Sequence, residues 1–190
     1  MKNSFIIIIF CLTIFFSCKK SSDSVDSMDV YVAGVDFNTA KYWKNGIAVS
    51  LTDGYSANSI LISGNDVYVA GSGYGTSGVA TYWKNGNPVS LTDFSNYSQA
   101  TSIFISGNDV YVAGYSVNGS HKVAKYWKNG TAVSLTGGTI ANSIFVSGND
   151  VYVSGSSETT GYAVATYWKN GTAFSLTDGS SAYSIVVSGK

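Results

Sequence analysis

The sequence predicts an all-β fold made of four copies of one four-stranded antiparallel unit, and three observations carry that prediction. Two strings recur: Asp29-Val-Tyr-Val-Ala-Gly34 returns at Asp66, Asp109 and, with Ser for Ala, at Asp150, while Tyr42-Trp-Lys-Asn-Gly46 returns at Tyr82, Tyr126 and Tyr167. Successive copies of the first string lie 37, 43 and 41 residues apart, and those of the second 40, 44 and 41. A period of that length marks a repeat architecture. Within each copy, short runs rich in Val, Ile, Tyr and Thr alternate with Gly, Asn and Asp, and no stretch carries a helical period.

The second copy displays the elements in order. Strands are expected at Ser59 to Ser63, Asp66 to Ala70, Val79 to Lys84 and Pro88 to Thr92. Gly64-Asn65 joins the first pair and Asn85-Gly86 the last, and both dipeptides tolerate the positive φ of two-residue hairpin turns. Apolar and polar residues do not alternate cleanly, because Val67, Tyr68 and Val69 leave both faces of the sheet apolar. A sheet with one wet face would not read this way, whereas a blade held between two neighbouring blades would. The expected architecture is therefore a β-propeller of four four-stranded blades.

Strand order predicts how the ends meet. The repeats enter at a strand of the second type, Asp29 to Val32, and leave after one of the first type, Ser184 to Ser188. Pairing of these two would complete the first blade with the C-terminal strand and remove the open edges that invite aggregation. Two other readings stay open: a fragment of a larger propeller, and two chains joined into an eight-bladed ring.

The string Trp-Lys-Asn-Gly, then Leu-Thr, then Ala-x-Ser-Ile, then Gly-x-x-Val-Tyr-Val-x-Gly resembles the extracellular HAF-type repeats of secreted bacterial proteins, over residues 29 to 189. That resemblance implies a propeller-like fold and carries no activity. The N-terminus reads as a targeting segment: Lys2, the apolar run Phe5 to Phe16, then Ser17 before Cys18. The run is too short to span a bilayer. Phe15-Phe16-Ser17-Cys18 resembles a bacterial lipobox, with Phe15 where Leu is usual. The resemblance implies a lipoprotein signal peptide over residues 1–17, acylation (palmitate) of Cys18, a flexible tether over 18–28 and the propeller domain over 29–190. Lys19 after the cysteine points to the outer membrane, so the expected location is the cell envelope, periplasmic or surface-exposed. With Cys11 in the removed leader and Cys18 lipidated, no thiol is left for a disulfide or a metal.

Composition narrows the function. The net charge is zero, and the 11 basic residues are all Lys, so the planar fork that grips phosphates bidentately is missing and nucleic acid is a poor partner. Eight of the 14 tyrosines occupy repeat positions. The other six, Tyr55, Tyr74, Tyr97, Tyr115, Tyr162 and Tyr183, fall in or beside the connections between the second and third strands or between one repeat and the next, and Phe37 and Phe94 join them. If these connections are variable loops on one face, they offer aromatic anchors for a glycan or a protein. Trp43, Trp83, Trp127 and Trp168 are expected to pack between blades, the Lys after each to be a solvated stem, and Asp29, Asp66, Asp109 and Asp150 to serve a turn.

The favoured function is non-catalytic: a lipid-tethered binding or scaffold protein, monomer or homodimer, that needs no cofactor. An alternative is a small carbohydrate hydrolase or lyase using Asp36, Glu158 or His121, since glycoside hydrolysis needs two carboxylates across one bond. His121 is the only histidine, which leaves no second imidazole for a zinc site.

Overall fold

The computed structural model describes residues 28–74, 78–159 and 161–189. The expected leader, Cys18 and the tether through Ser27 lie outside the described residues. Among the described residues the regular structure is all strand. Blade 1 holds β1 (Tyr31–Asp36), β2 (Thr39–Lys44) and β3 (Ile47–Ser50). Blade 2 holds β4 (Gly54–Ser63), β5 (Asp66–Gly73), β6 (Val79–Lys84) and β7 (Asn87–Ser90). Blade 3 holds β8 (Ser98–Ser106), β9 (Asp109–Asn118), β10 (His121–Lys128) and β11 (Thr131–Ser134). Blade 4 holds β12 (Gly138–Ser147), β13 (Asp150–Thr159), β14 (Tyr162–Lys169) and β15 (Thr172–Ser175). In every sheet the strands pair antiparallel in chain order.

The turns form as their residues dictate. Asn45 and Gly46 sit at φ 50° and 80°, and the same Asn-Gly pair recurs at the equivalent turn of each blade with nearly the same angles. That left-handed pair is what a two-residue hairpin turn needs to match the twist of its strands. The connections expected as variable loops between second and third strands are mostly ladder instead. β1 and β2 meet through Phe37-Asn38, both at positive φ, and β9 runs on to Asn118 so that only Gly119-Ser120 remains outside the strands. Backbone groups at the end of a blade that continue the ladder need no other partner.

The first strand of each complete blade is longer than expected because it is bulged. β4 slips register between Gly54 and Ser56 and again between Ala57 and Ser59, and β12 slips twice at the equivalent places. The bulge explains the glycine of Val-Tyr-Val-x-Gly. A Cβ on Gly71 would collide with the carbonyl oxygen of Ser56, one on Gly114 with that of Gln99, and one on Gly155 with that of Ile140. Each bulge pushes its carbonyl into the space that only glycine leaves free.

Blades hold together through three repeated junctions. Ala40, Leu51, Ala57, Val69 and Trp83 form the core between blades 1 and 2. Between blades 2 and 3 the same places are filled by Ala80, Leu91, Ala100, Val112 and Trp127, and between blades 3 and 4 by Ala124, Leu135, Ala141, Val153 and Trp168. Trp83, Trp127 and Trp168 are at most 1% exposed. The indole Nε1 of Trp83 donates to the Thr52 carbonyl at 2.8 Å and that of Trp168 to the Thr136 carbonyl at 3.1 Å. Nearer the inner strands, Asn58 Nδ2 donates to the Ala100 carbonyl and Thr101 Oγ1 to the Ala141 carbonyl. Ser59 and Ser102 Oγ accept from the backbone N–H of Ile103 and Ile144. The Ala-x-Ser-Ile motif is thus a blade-to-blade tie.

The expected completion of blade 1 by the C-terminal strand is not formed. Ser184 to Ser188 make no ladder with β1, and the first sheet has three strands. The segment docks instead on blade 4: Asn142 Nδ2 donates to the Ala182 carbonyl, the Ala182 N–H to Gly155, and the Ile185 N–H to Ser143 Oγ. These repeat the ties between blades 2 and 3, so the segment stands where the inner strand of a following blade would stand.

Position along the arc sets what each tryptophan contributes. Trp83→Ala empties a sealed junction and is expected to lower stability by about 3–5 kcal/mol, whereas Trp43→Ala, at the open front of blade 1, is expected to lower that of the isolated single chain by well under half as much. Guanidinium unfolding followed by circular dichroism compares the two, and equal losses would show that the blade 1 tryptophan is sealed as well.

Candidate functional site

Two ends of the blades differ chemically. At the end with the Asn-Gly turns, each blade repeats one polar clamp. Lys44 Nζ lies 2.7 Å from the Asp29 carboxylate, and the pairs Lys84–Asp66, Lys128–Asp109 and Lys169–Asp150 measure 2.7–2.8 Å. The Asn of the turn completes the clamp: Asn45 Nδ2 donates to Asp29 Oδ1, and its Oδ1 accepts the Val30 N–H. Each Lys also stands over a tyrosine ring, Tyr31, Tyr68, Tyr111 or Tyr152, at 5.3–5.5 Å from the centroid. The lysines expected as free stems are therefore each neutralised within their own blade, and the aspartates hold more than a turn. Side-chain hydrogen bonds from Lys and then Asn keep all four carboxyls below the ordinary value of 3.8.

The opposite end carries the aromatic residues singled out in the sequence. Phe37 is 98% exposed at the tip of the β1–β2 hairpin. Beside it, the Asn38 carbonyl accepts the hydroxyl of Tyr74 at 2.7 Å, and the Tyr74 ring meets Tyr55 edge to face at 6.1 Å. Phe94 is exposed in the connection 91–97, between β7 and β8, and Tyr162 begins β14. Tyr97 packs across Gly78 of blade 2 and against Tyr115. Tyr115, expected in a loop, lies within β9 and is buried: its hydroxyl donates to Gln99 Oε1 at 2.9 Å, and Lys122 Nζ caps the ring at 4.5 Å. It braces blade 3 and presents no face to solvent. Tyr183 is exposed in the C-terminal segment, at the place held by Asn58, Thr101 and Asn142 in the other copies.

Two clefts flank the connection 91–97. One, of about 300 Å³, is edged by Tyr74 and Phe94 over Asp53, Thr81 and Ser90. The other, of about 420 Å³, is polar, with Asp93, Asn96, Asn118 and Lys125 on its walls. Asp93 accepts from Ser95 through Oγ and the backbone N–H, which with the Lys125 charge keeps its carboxyl low. The two-sided role of this connection, a ring to one cleft and amide and carboxylate to the next, was not foreseen, because only Phe94 stood out from the repeat pattern.

No protein-family model matches the chain, and a search of the curated proteins finds no match. The groups considered for catalysis are not brought together as a pair of acids. Asp36 is bound to Lys41 at 2.5 Å in blade 1, while Glu158 lies on β13 in blade 4, the other end of the arc. Glu158 instead shares a cleft of about 490 Å³ with His121 and Lys122. Among the described residues no group of three His, Cys, Asp or Glu is placed to hold a metal.

The clamps make stability depend on acid. An Asp with a lowered folded pKa stabilises the fold fully above the unfolded value and loses that contribution as pH falls through the folded value. Melting temperature is therefore expected to drop as pH is lowered from about 5 to below the ordinary carboxyl value of 3.8, and changing Asp29, Asp66, Asp109 and Asp150 together to Asn should flatten that drop. An identical pH profile for the fourfold variant would remove the clamps from the account.

Proposed function

We propose that this chain is a non-catalytic binding protein of the cell envelope, held to the membrane by acylated Cys18 and binding a neutral glycan on the connection end of its blades. One observation carries the reading: the connection 91–97 lays Phe94, with Tyr74, along one cleft and Asp93 with Asn96 along the adjoining one. Sugar rings stack on exposed aromatic faces through their C–H bonds, and their hydroxyls pair with carboxylate and amide groups. Adjacent clefts of these two kinds suit successive units of one oligosaccharide. Absence of net charge favours a neutral polymer over a polyanion. A protein ligand is the second reading, favoured by the full exposure of Phe37 at a hairpin tip.

Binding to an array of neutral oligosaccharides, followed by calorimetry on the best of them, tests the glycan. Joint substitution of Tyr74 and Phe94 by Ala is expected to weaken it by about tenfold or more, the loss of roughly two aromatic stacking contacts, with little change in melting temperature. Unchanged affinity would move the site off this connection. Cys18→Ala is expected to release the chain from the membrane fraction into the soluble fraction, and persistence in the membrane would overturn acylation at that residue.

A further inference from the structure

The two ends of the blade array are unfinished in complementary ways. Among the described residues β1 has an edge with no inner strand beside it, and the segment 184–188, which carries the inner-strand sequence, has no second strand beside it. Burial measures how incomplete they are. Val32 of β1 is 52% exposed, whereas its counterparts Val69, Val112 and Val153 are 1% exposed. On the far face of blade 4, Leu176 is 41% exposed, against 3%, 8% and 2% for Leu51, Leu91 and Leu135.

Gly34 decides what the free edge is for. Its counterparts Gly71, Gly114 and Gly155 are required because a bulged inner strand drives a carbonyl into the place of a Cβ. At Gly34 no carbonyl is near, and a Cβ would touch only the edge of the Trp43 ring at 3.1 Å. Blade 1 therefore keeps the socket without the strand that needs it. The segment 184–188 supplies the plug: by the register of the other blades, Ser188 would face Asp29, Val187 would face Val30, and the carbonyl of Ser181 would enter the space at Gly34. Trp43 would fill against Gly179 and Leu176 as Trp83 does against Gly54 and Leu51.

The geometry points to a second copy of this chain as the occupant: two chains join head to tail, the 184–188 strand of each completing blade 1 of the other, in an eight-bladed ring. Three like junctions in a row have not brought the two ends of one chain together, and among the described residues no hydrogen bond links blade 1 to blade 4 or to 184–188. The turn per junction is thus smaller than four blades need. Eight blades lie within the natural range for rings of four-stranded sheets. A head-to-tail contact that closes leaves no free edge, whereas one that does not close grows a fibre. This inference stands apart from what the clefts bind.

The test uses the full chain, extracted in mild detergent. Two differently tagged copies, one with Val30→Cys and one with Val187→Cys, are co-expressed and oxidised, since facing cross-strand positions lie within disulfide reach. The unsubstituted chain controls for Cys11 and Cys18. The expected product is a covalent dimer carrying both tags, with a yield about tenfold above either substituted chain alone, and a native mass of two chains. Adding Gly34→Ala to the Val30→Cys copy is expected to cut that yield by about tenfold while its circular dichroism stays that of the parent, because the methyl takes the space the incoming carbonyl would enter and within its own chain meets only the edge of the Trp43 ring at 3.1 Å. A doubly substituted chain that forms its disulfide within a monomer would overturn the proposal in favour of self-closure. Absence of any cross-link, or a ladder of higher oligomers, would overturn it too.

Discussion

The insertion of one tryptophan from each blade after the first against the leucine and alanine of the blade before it is the contact on which the rest of this structure depends. A four-stranded sheet with apolar residues on both faces has no stable existence in water by itself, since each face must be covered. Trp83, Trp127 and Trp168 cover one face and seal the other of their neighbour. From that follow the small residues at Ala40, Ala124 and Gly138, over which a large ring has to lie, and the Ser and Asn ties that fix how far one inner strand slides along the next. With the folded part free of cysteine, no covalent staple shares this role.

Polar chemistry is confined to the blade ends. At one end the Asp–Lys–Asn clamp satisfies the start of the second strand and the turn between the third and fourth in a single arrangement. Exposed ion pairs of this kind are individually weak. Their value lies in geometry, because the Asn side chain ties two turns that are otherwise joined only through the ladder. The other end has no such uniform device, and there the blades differ in length, in aromatic content and in the clefts between them.

How much of this was legible in the sequence follows from the same division. Whatever repeats was readable: four copies, strand type, the Asn-Gly turns and the packing role of the tryptophans all came from recurrence, which samples each position four times. Strand lengths were misjudged because bulges break the two-residue period from Gly54 to Ser59, so that half of β4 looked like a loop. Tyr115 was misplaced for the same reason, as β9 continues where a connection was expected. The lysines looked solvated because the Asp partner lies 15 to 19 residues away in the chain, and only the ladder register brings the two side by side. The open end was misread because strand counting gives the number of strands without the angle between blades.

The near identity of the three junctions has a consequence for how such a chain can change over generations. The Trp, Leu, Ala and Val that pack the three junctions are the same, and the differences lie in single polar ties such as Asn58 against Thr101, so the order of the units is kept chiefly by the covalent chain. Gaining one unit of the repeat by slippage of the coding sequence would make two new contacts, and losing one would make a single new contact, in either case from parts already matched to each other and with every surviving contact intact. Unit number is then a quantity that selection can tune, within the sizes at which the ring still closes, without redesigning any interface, and diversity is free to accumulate at the rim, where no repeated contact has to be kept.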